Sequence, residues 1–230
     1  MGSAKVIFFK RRAHATTTAI VADWVIRDNS FLQRRADTKK TEEEMNYYGA
    51  AQLAESFRTV RKNTILIAED IPEEKYTFAV TPGTRSVEKL LTHIGLAPRF
   101  QLLIHSGEPR STLDGFNFPV LMQEMMAEEA KPRTKGQVIE LLQQGGETWA
   151  NFVAGLKDEF LGQSVTMPQG ATPPARTRFD MILSVKEHEM HHRGQLMIVE
   201  RMIGIVPHLT RDMQARMAQA QQQAQRSSKS

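Results

Sequence analysis

With 230 residues, 40% of them hydrophobic and 24% charged, the chain is long enough for one sizeable core and too short to require two domains. Its net charge of +4 is mild and lies toward the ends, with no patch of interleaved aromatics, which gives a nucleic-acid interface little support. The absence of cysteine excludes disulfides, thiolate metal ligands and a cysteine nucleophile, so any thiol chemistry must import its thiol with the substrate.

Residues 1–44 read as an N-terminal extension, irregular or weakly docked. They carry nine Lys or Arg and then a TKKTEEE charge run, with no sustained period of either kind. Asp23 interrupts the longer apolar cluster, and no apolar run approaches the roughly 18 residues of a membrane-spanning helix. A cytoplasmic protein without membrane contact is the default expectation, and Met45 is a candidate natural start.

From Met45 the pattern becomes regular. Ala50, Leu53, Phe57, Val60, Thr64, Ile67 and Ile71 step by three and four, which predicts an amphipathic helix ending near Pro72. After the Pro82-Gly83 turn signal, Ser86 reads as the N-cap of a second helix, with Glu88 in its first turn and Leu90, His93, Ala97, Phe100 and Ile104 on its apolar face. Residues 106–133 form a long connection whose Met-rich part, from Pro119 to Ala130, could be a short helix covering the bundle through Leu121, Met122, Met125 and Met126.

A third helix is expected from about Thr134 to Leu161, bent at Gly145-Gly146. The linker MPQGATPPARTR then stops helical propagation, and no period-two strand is legible anywhere. A fourth helix runs from near Arg178 to about Gly204, with Pro207 beyond it as a stop. The tail, residues 210–230, is helical by propensity but polar, so fraying or partner contact is expected. The prediction is an all-α fold: a four-helix bundle over residues 45–209 with a long connection between helices two and three.

The candidate chemistry lies in the fourth helix. His188 and His192 stand four residues apart, on one helical face, at stripe positions where Leu or Ile would ordinarily sit. His93 holds an equivalent position in helix two. Unpaired buried polar groups cost about 1–3 kcal/mol each, and a divalent metal would satisfy all three rings through neutral nitrogens. Hydrogen bonds to carbonyls or a wet cavity would also serve them. Three protein nitrogens leave positions open for water or substrate, the catalytic pattern, and affinity should fall as pH drops through the histidine range near about 6.5.

Zn²⁺ is the first choice of metal, with Ni²⁺, Fe²⁺ and Mn²⁺ as alternatives. Glu187, Glu189, Arg193 and Gln195 are candidates for contact with the ligands or substrate; Gln195 is the better inward candidate and Glu187 reads as surface. His191 lies about 100° around the helix from His192 and is expected at a helix interface. His105 is too far along helix two for the same metal, and His14 and His208 lie in the least organised regions. No catalytic acid or base is identifiable.

The segment HEMHHRGQL, with Gly204 and Pro207 closing its helix, resembles the last-helix signature of the DinB/YfiT-like superfamily. SVEKLLTHI, Ser86 to Ile94, resembles its second-helix motif. The resemblance covers roughly residues 45–207 and places the family's metal triad on His93, His188 and His192. It implies a four-helix bundle binding a divalent metal, commonly as a homodimer, with some relatives acting as S-transferases on low-molecular-weight thiols and others as hydrolases.

Two departures from the family pattern matter: residues 1–44 have no counterpart in it, and Gly95 and Pro98 follow His93, so a kink is expected one turn beyond that residue. The functional expectation is a metal-dependent transferase or hydrolase acting on a small molecule. The alternative is a non-catalytic, metal-stabilised, stress-associated bundle.

Overall fold

The computed structural model describes residues 48–227; the expected N-terminal extension, residues 1–44, lies outside them. Helix α1 runs Ala50–Asp70 and buries Leu53, Phe57, Val60, Thr64 and Ile67, the face its spacing predicts. A short 3₁₀ turn, Glu73–Lys75, follows Pro72. Helix α2, Val87–Leu96, starts at Ser86, whose hydroxyl accepts from Lys89 N–H as an N-cap. Helix α3, Pro98–His105, continues the same rod after a break at Ala97.

The break has the expected cause. Pro98 has no N–H to give Ile94, four residues earlier. The vacated carbonyl receives Arg61 Nη2 at 3.3 Å instead. The last turn around the ligand candidate is intact, because Ala97 N–H still donates to His93 O at 3.0 Å.

Helix α4, Phe118–Ala130, occupies the long connection and is capped by Asn117. It has no fully buried residue: Leu121 and Met125 turn inward, whereas Met122 and Met126 are exposed, so the expected cover over the bundle is only half made. Helix α5, Lys135–Ala154, opens with a reciprocal cap in which Thr134 Oγ1 accepts from Gln137 N–H and Gln137 Oε1 accepts from Thr134 N–H.

Helix α5 runs without interruption through Gly145-Gly146, and those glycines serve close packing. A Cβ at Gly146 would stand 2.7 Å from Arg61 Cγ, and one at Gly145 would stand 3.0 Å from Gly95 O. The helix stops short of the expected Leu161, at Gly155, whose N–H reaches back to Asn151, Phe152 and Val153 carbonyls, and a separate turn, α6, covers Asp158–Leu161. Asp158 Oδ1 accepts from Ala50 N–H at 3.1 Å, so that turn caps α1.

Two short strands enclose most of the linker, one just before it and one within it. β1, Ser164–Thr166, pairs antiparallel with β2, Ala175–Thr177, with Val165 opposite Arg176. Three-residue strands are too short to display a period of two. Helix α7, Arg178–Met202, begins at the Thr177 N-cap, and α8, His208–Ser227, follows with only His208 buried.

The four rods are α1, the broken α2–α3 pair, α5 and α7, with α4 in the crossover: an all-α, four-helix bundle. Helix α1 packs chiefly against α5 and also against α7, and α2 lies on α5. One core layer joins Ile67, Leu91, Ile94, Leu142 and Leu196; a second joins Phe57, Trp149, Val153, Ile182 and Val185. Among the described residues no helix is long and apolar enough to cross a membrane.

Candidate metal centre

His93 in the last turn of α2 and His188 and His192 in the middle of α7 meet between the two rods. His93 Nε2 stands 3.0 Å from His188 Nε2, and His192 Nε2 stands 3.1 Å from the same atom. Ligand nitrogens about 2.0–2.1 Å from a tetrahedral ion stand roughly 3.3 Å apart, close to this spacing. Among the described residues this is the one group of three with ligand spacing.

The far nitrogens of two rings define what the near ones can do. Glu129 Oε2, at the end of α4, lies 3.0 Å from His93 Nδ1, and Gln195 Oε1 lies 2.8 Å from His192 Nδ1. Each oxygen accepts from its Nδ1–H, which leaves both Nε2 atoms as lone pairs directed at His188 Nε2. His188 Nδ1 is buried with no protein partner. Lone pairs converging at this distance repel unless a proton or a cation lies among them, and a divalent ion fits the donor set.

Burial holds the rings neutral, the state a ligand needs. It pushes His188 down to about 4, with His192 and His93 as further causes. His93 and His192 are also held below the ordinary histidine value, chiefly by burial. Burial alone would raise the Glu129 carboxyl, but the hydrogen bond and charge of Arg85 hold it below the usual range, so it remains an acceptor for His93. Arg85 Nε donates to Glu129 Oε1 at 2.5 Å.

Glu129 reaches this place because the end of α4 is clamped to the start of α2. Lys89 Nζ donates to the carbonyls of Glu129, Ala130 and Lys131 at 3.1, 2.8 and 3.3 Å, and Arg133 N–H donates to Glu88 Oε1 at 2.8 Å. The sequence reading missed Glu129 and Arg85. In the sequence, Glu129 belongs to a run of acids that looks like any solvated helix end, 36 residues from its histidine.

Of the other candidates, Gln195 contacts a histidine of the triad, as its position suggested, and Glu187 is exposed. Arg193 is half-buried, and Glu189 turns to the opposite side to pair with Arg61. His191 is exposed, 3.2 Å from Gln195 Nε2, and among the described residues it does not lie in a helix interface as expected. His105 is buried elsewhere, between Gln101 and Arg178, and His208 approaches Asn63; His14 is outside the described residues.

A cleft of about 450 Å³ between α3 and α4, lined by Leu96, Leu102, Leu121, Met125 and Glu128 among others, includes none of the three histidines. A larger one, about 530 Å³, lies between α1 and α5 and includes none of the three histidines.

A helical bundle with three inward histidines on its second and last rods defines a class of candidate metal-binding proteins. The chain belongs to the DinB superfamily, whose family model matches residues 56–196. It is similar in fold to YfiT from Bacillus subtilis, described as a probable metal-dependent hydrolase with an unusual four-helix bundle topology, at 14% identity and a TM-score of 0.52, over 68% of this chain and 88% of that one. A DinB-like protein from Bacillus cereus matches at 14% identity and a TM-score of 0.51, over 68% of this chain and 93% of its own. No curated protein sequence matches the chain.

Proposed function

We propose that His93, His188 and His192 bind a divalent metal, Zn²⁺ before Ni²⁺, Fe²⁺ or Mn²⁺, and that the protein is a metal-dependent transferase or hydrolase of a small molecule. The observation that carries this reading is the convergence of three Nε2 atoms, two of them turned into lone-pair donors by Glu129 and Gln195. The description of the similar YfiT structure as a probable metal-dependent hydrolase agrees with it.

A bound ion would supply Lewis acidity toward the water or thiol that completes its shell. The chain itself contributes the rest. Glu129 and Gln195 hold two rings in one tautomer and orientation, and burial keeps all three rings unprotonated. With no cysteine in the chain, a thiol nucleophile enters as a low-molecular-weight co-substrate.

The triad also ties α2 to α7, which favours a second reading in which metal serves stability alone. Elemental analysis of purified protein and of His188→Ala tests the metal. Metal in the parent and loss in the variant are expected; equal metal in both would remove the proposal. Metal-loaded protein that gains stability yet consumes neither thiols nor hydrolysable esters and amides would leave the structural reading in its place.

A further inference from the structure

Helix α4 is held to the bundle differently at its two ends. At its start, Phe118 packs against Phe100 and Phe116, with ring centroids 5.9 and 4.7 Å away. Along its length no side chain is fully buried, Val120, Met122 and Met126 are exposed, and the cleft of about 450 Å³ separates it from α3. At its far end the contacts are polar. Lys89 Nζ caps the carbonyls of Glu129, Ala130 and Lys131, and Arg85 and His93 both meet the Glu129 carboxylate.

A helix of 13 residues is marginal in water by itself, so α4 depends on being docked. A segment with few buried apolar contacts opens more readily than the whole fold unfolds. The polar end therefore decides whether α4 is seated, and one of its contacts reaches the triad. The His93 ring that offers Nε2 to a metal offers Nδ1–H to Glu129. A cation on Nε2 draws electron density from the ring and makes Nδ1–H a stronger donor, so the ion tightens the bond to Glu129. By linkage, a seated Glu129 tightens the ion by the same factor.

We propose that α4 is a strap coupled to the metal centre. An ion on the three histidines seats its C-terminal end, and Lys89 sets metal affinity from a distance, by holding that end in place. Lys89 is thus a positioning residue: its ammonium bonds α4 carbonyls and none of the three histidines. The inference rests on metal binding by the triad, as proposed above, and adds the regulation of that site. Loss of the ion loosens the strap, and whatever holds α4 down raises affinity for the ion.

The test is hydrogen exchange of the full chain, metal-free and with Zn²⁺ as the probe, beside Zn²⁺ affinity from competition with a chelating dye. In the parent, Zn²⁺ should slow exchange in the last two turns of α4 about tenfold, while α8, exposed along nearly all its length, is unchanged. Lys89→Met should lower Zn²⁺ affinity about tenfold and speed exchange at the same place in the metal-free chain. Lys89→Arg, which keeps donors for the carbonyls, should restore both. Parent-like exchange in α1 and α5 shows that the variants are folded, and the response of the parent stands even where one is not.

A parent that binds Zn²⁺, loses it in His188→Ala, and exchanges α4 equally with and without the ion would overturn the coupling and leave the metal reading in place. So would Lys89→Met with the affinity of the parent. A parent that binds no Zn²⁺ removes both.

Discussion

Arg61 of α1 and Glu189 of α7 form a buried, two-pronged ion pair one residue from His188. Arg61 Nε lies 2.9 and 3.0 Å from the two Glu189 oxygens, and Nη2 lies 2.9 Å from Oε2. The same guanidinium donates to Leu142 O at 2.7 Å and Ile94 O at 3.3 Å, so one side chain ties α1, α2, α5 and α7 together. Breaking such a pair leaves a charge buried without a partner. Arg61→Met should therefore destabilise the fold by about 3–5 kcal/mol. Arg61→Met with Glu189→Met should recover most of that loss; urea unfolding of the three proteins measures both effects.

The triad and the neighbouring histidines should separate cleanly. His93→Ala should abolish metal retention in elemental analysis. His105→Ala should keep the metal while lowering the melting temperature, because Arg178 loses its bond to His105 Nδ1 at 2.9 Å and remains buried.

Glu129 does not converge on the ligand cluster; it holds His93 from behind. Glu129→Ala should weaken metal binding roughly 10–100-fold with the bundle still folded, measured by competition with a chelating dye. Arg85→Met should produce a smaller loss, since it removes the partner of Glu129 and leaves the carboxylate in place.

Glu200 gives the stability a pH dependence that can be isolated. It is fully buried in α7 with both carboxyl oxygens unpaired, and burial, followed by the nearby Asp70 charge, pushes it up to about 7. Its folded value exceeds the ordinary 4.5, so the native state keeps a proton that the unfolded chain has released between those values. The Glu200 contribution is fully present below pH 4.5 and is lost as pH rises through about 7. Glu200→Gln should be more stable than the parent at pH 8, and the difference should vanish near pH 4. Unfolding midpoints across that range check the sign.

Much of the bundle was legible because helical faces are written locally. Steps of three and four specify which side of α1 or α7 is apolar, Ser86 can cap a helix from its own side chain, and Pro98 withholds its N–H wherever the rest of the chain goes. For the same reason the spacing of His188 and His192 placed both rings on one face before any tertiary contact was known. The three-residue strands and the stop at Gly155 were not legible, since their periods are too short or their signals too common to distinguish.

What the sequence determined by itself was the four main rods, the apolar faces of α1 and α7, and the three histidines standing where apolar side chains belong. Only the tertiary structure decided that Glu129 stands behind His93, that Glu189 answers Arg61 across 128 residues, and that Gly145 and Gly146 admit a close neighbour. The physical reason is range. Periodicity and capping act within a few residues and leave a pattern along the chain, whereas a buried carboxylate takes its partner from whichever distant segment the packed core brings beside it.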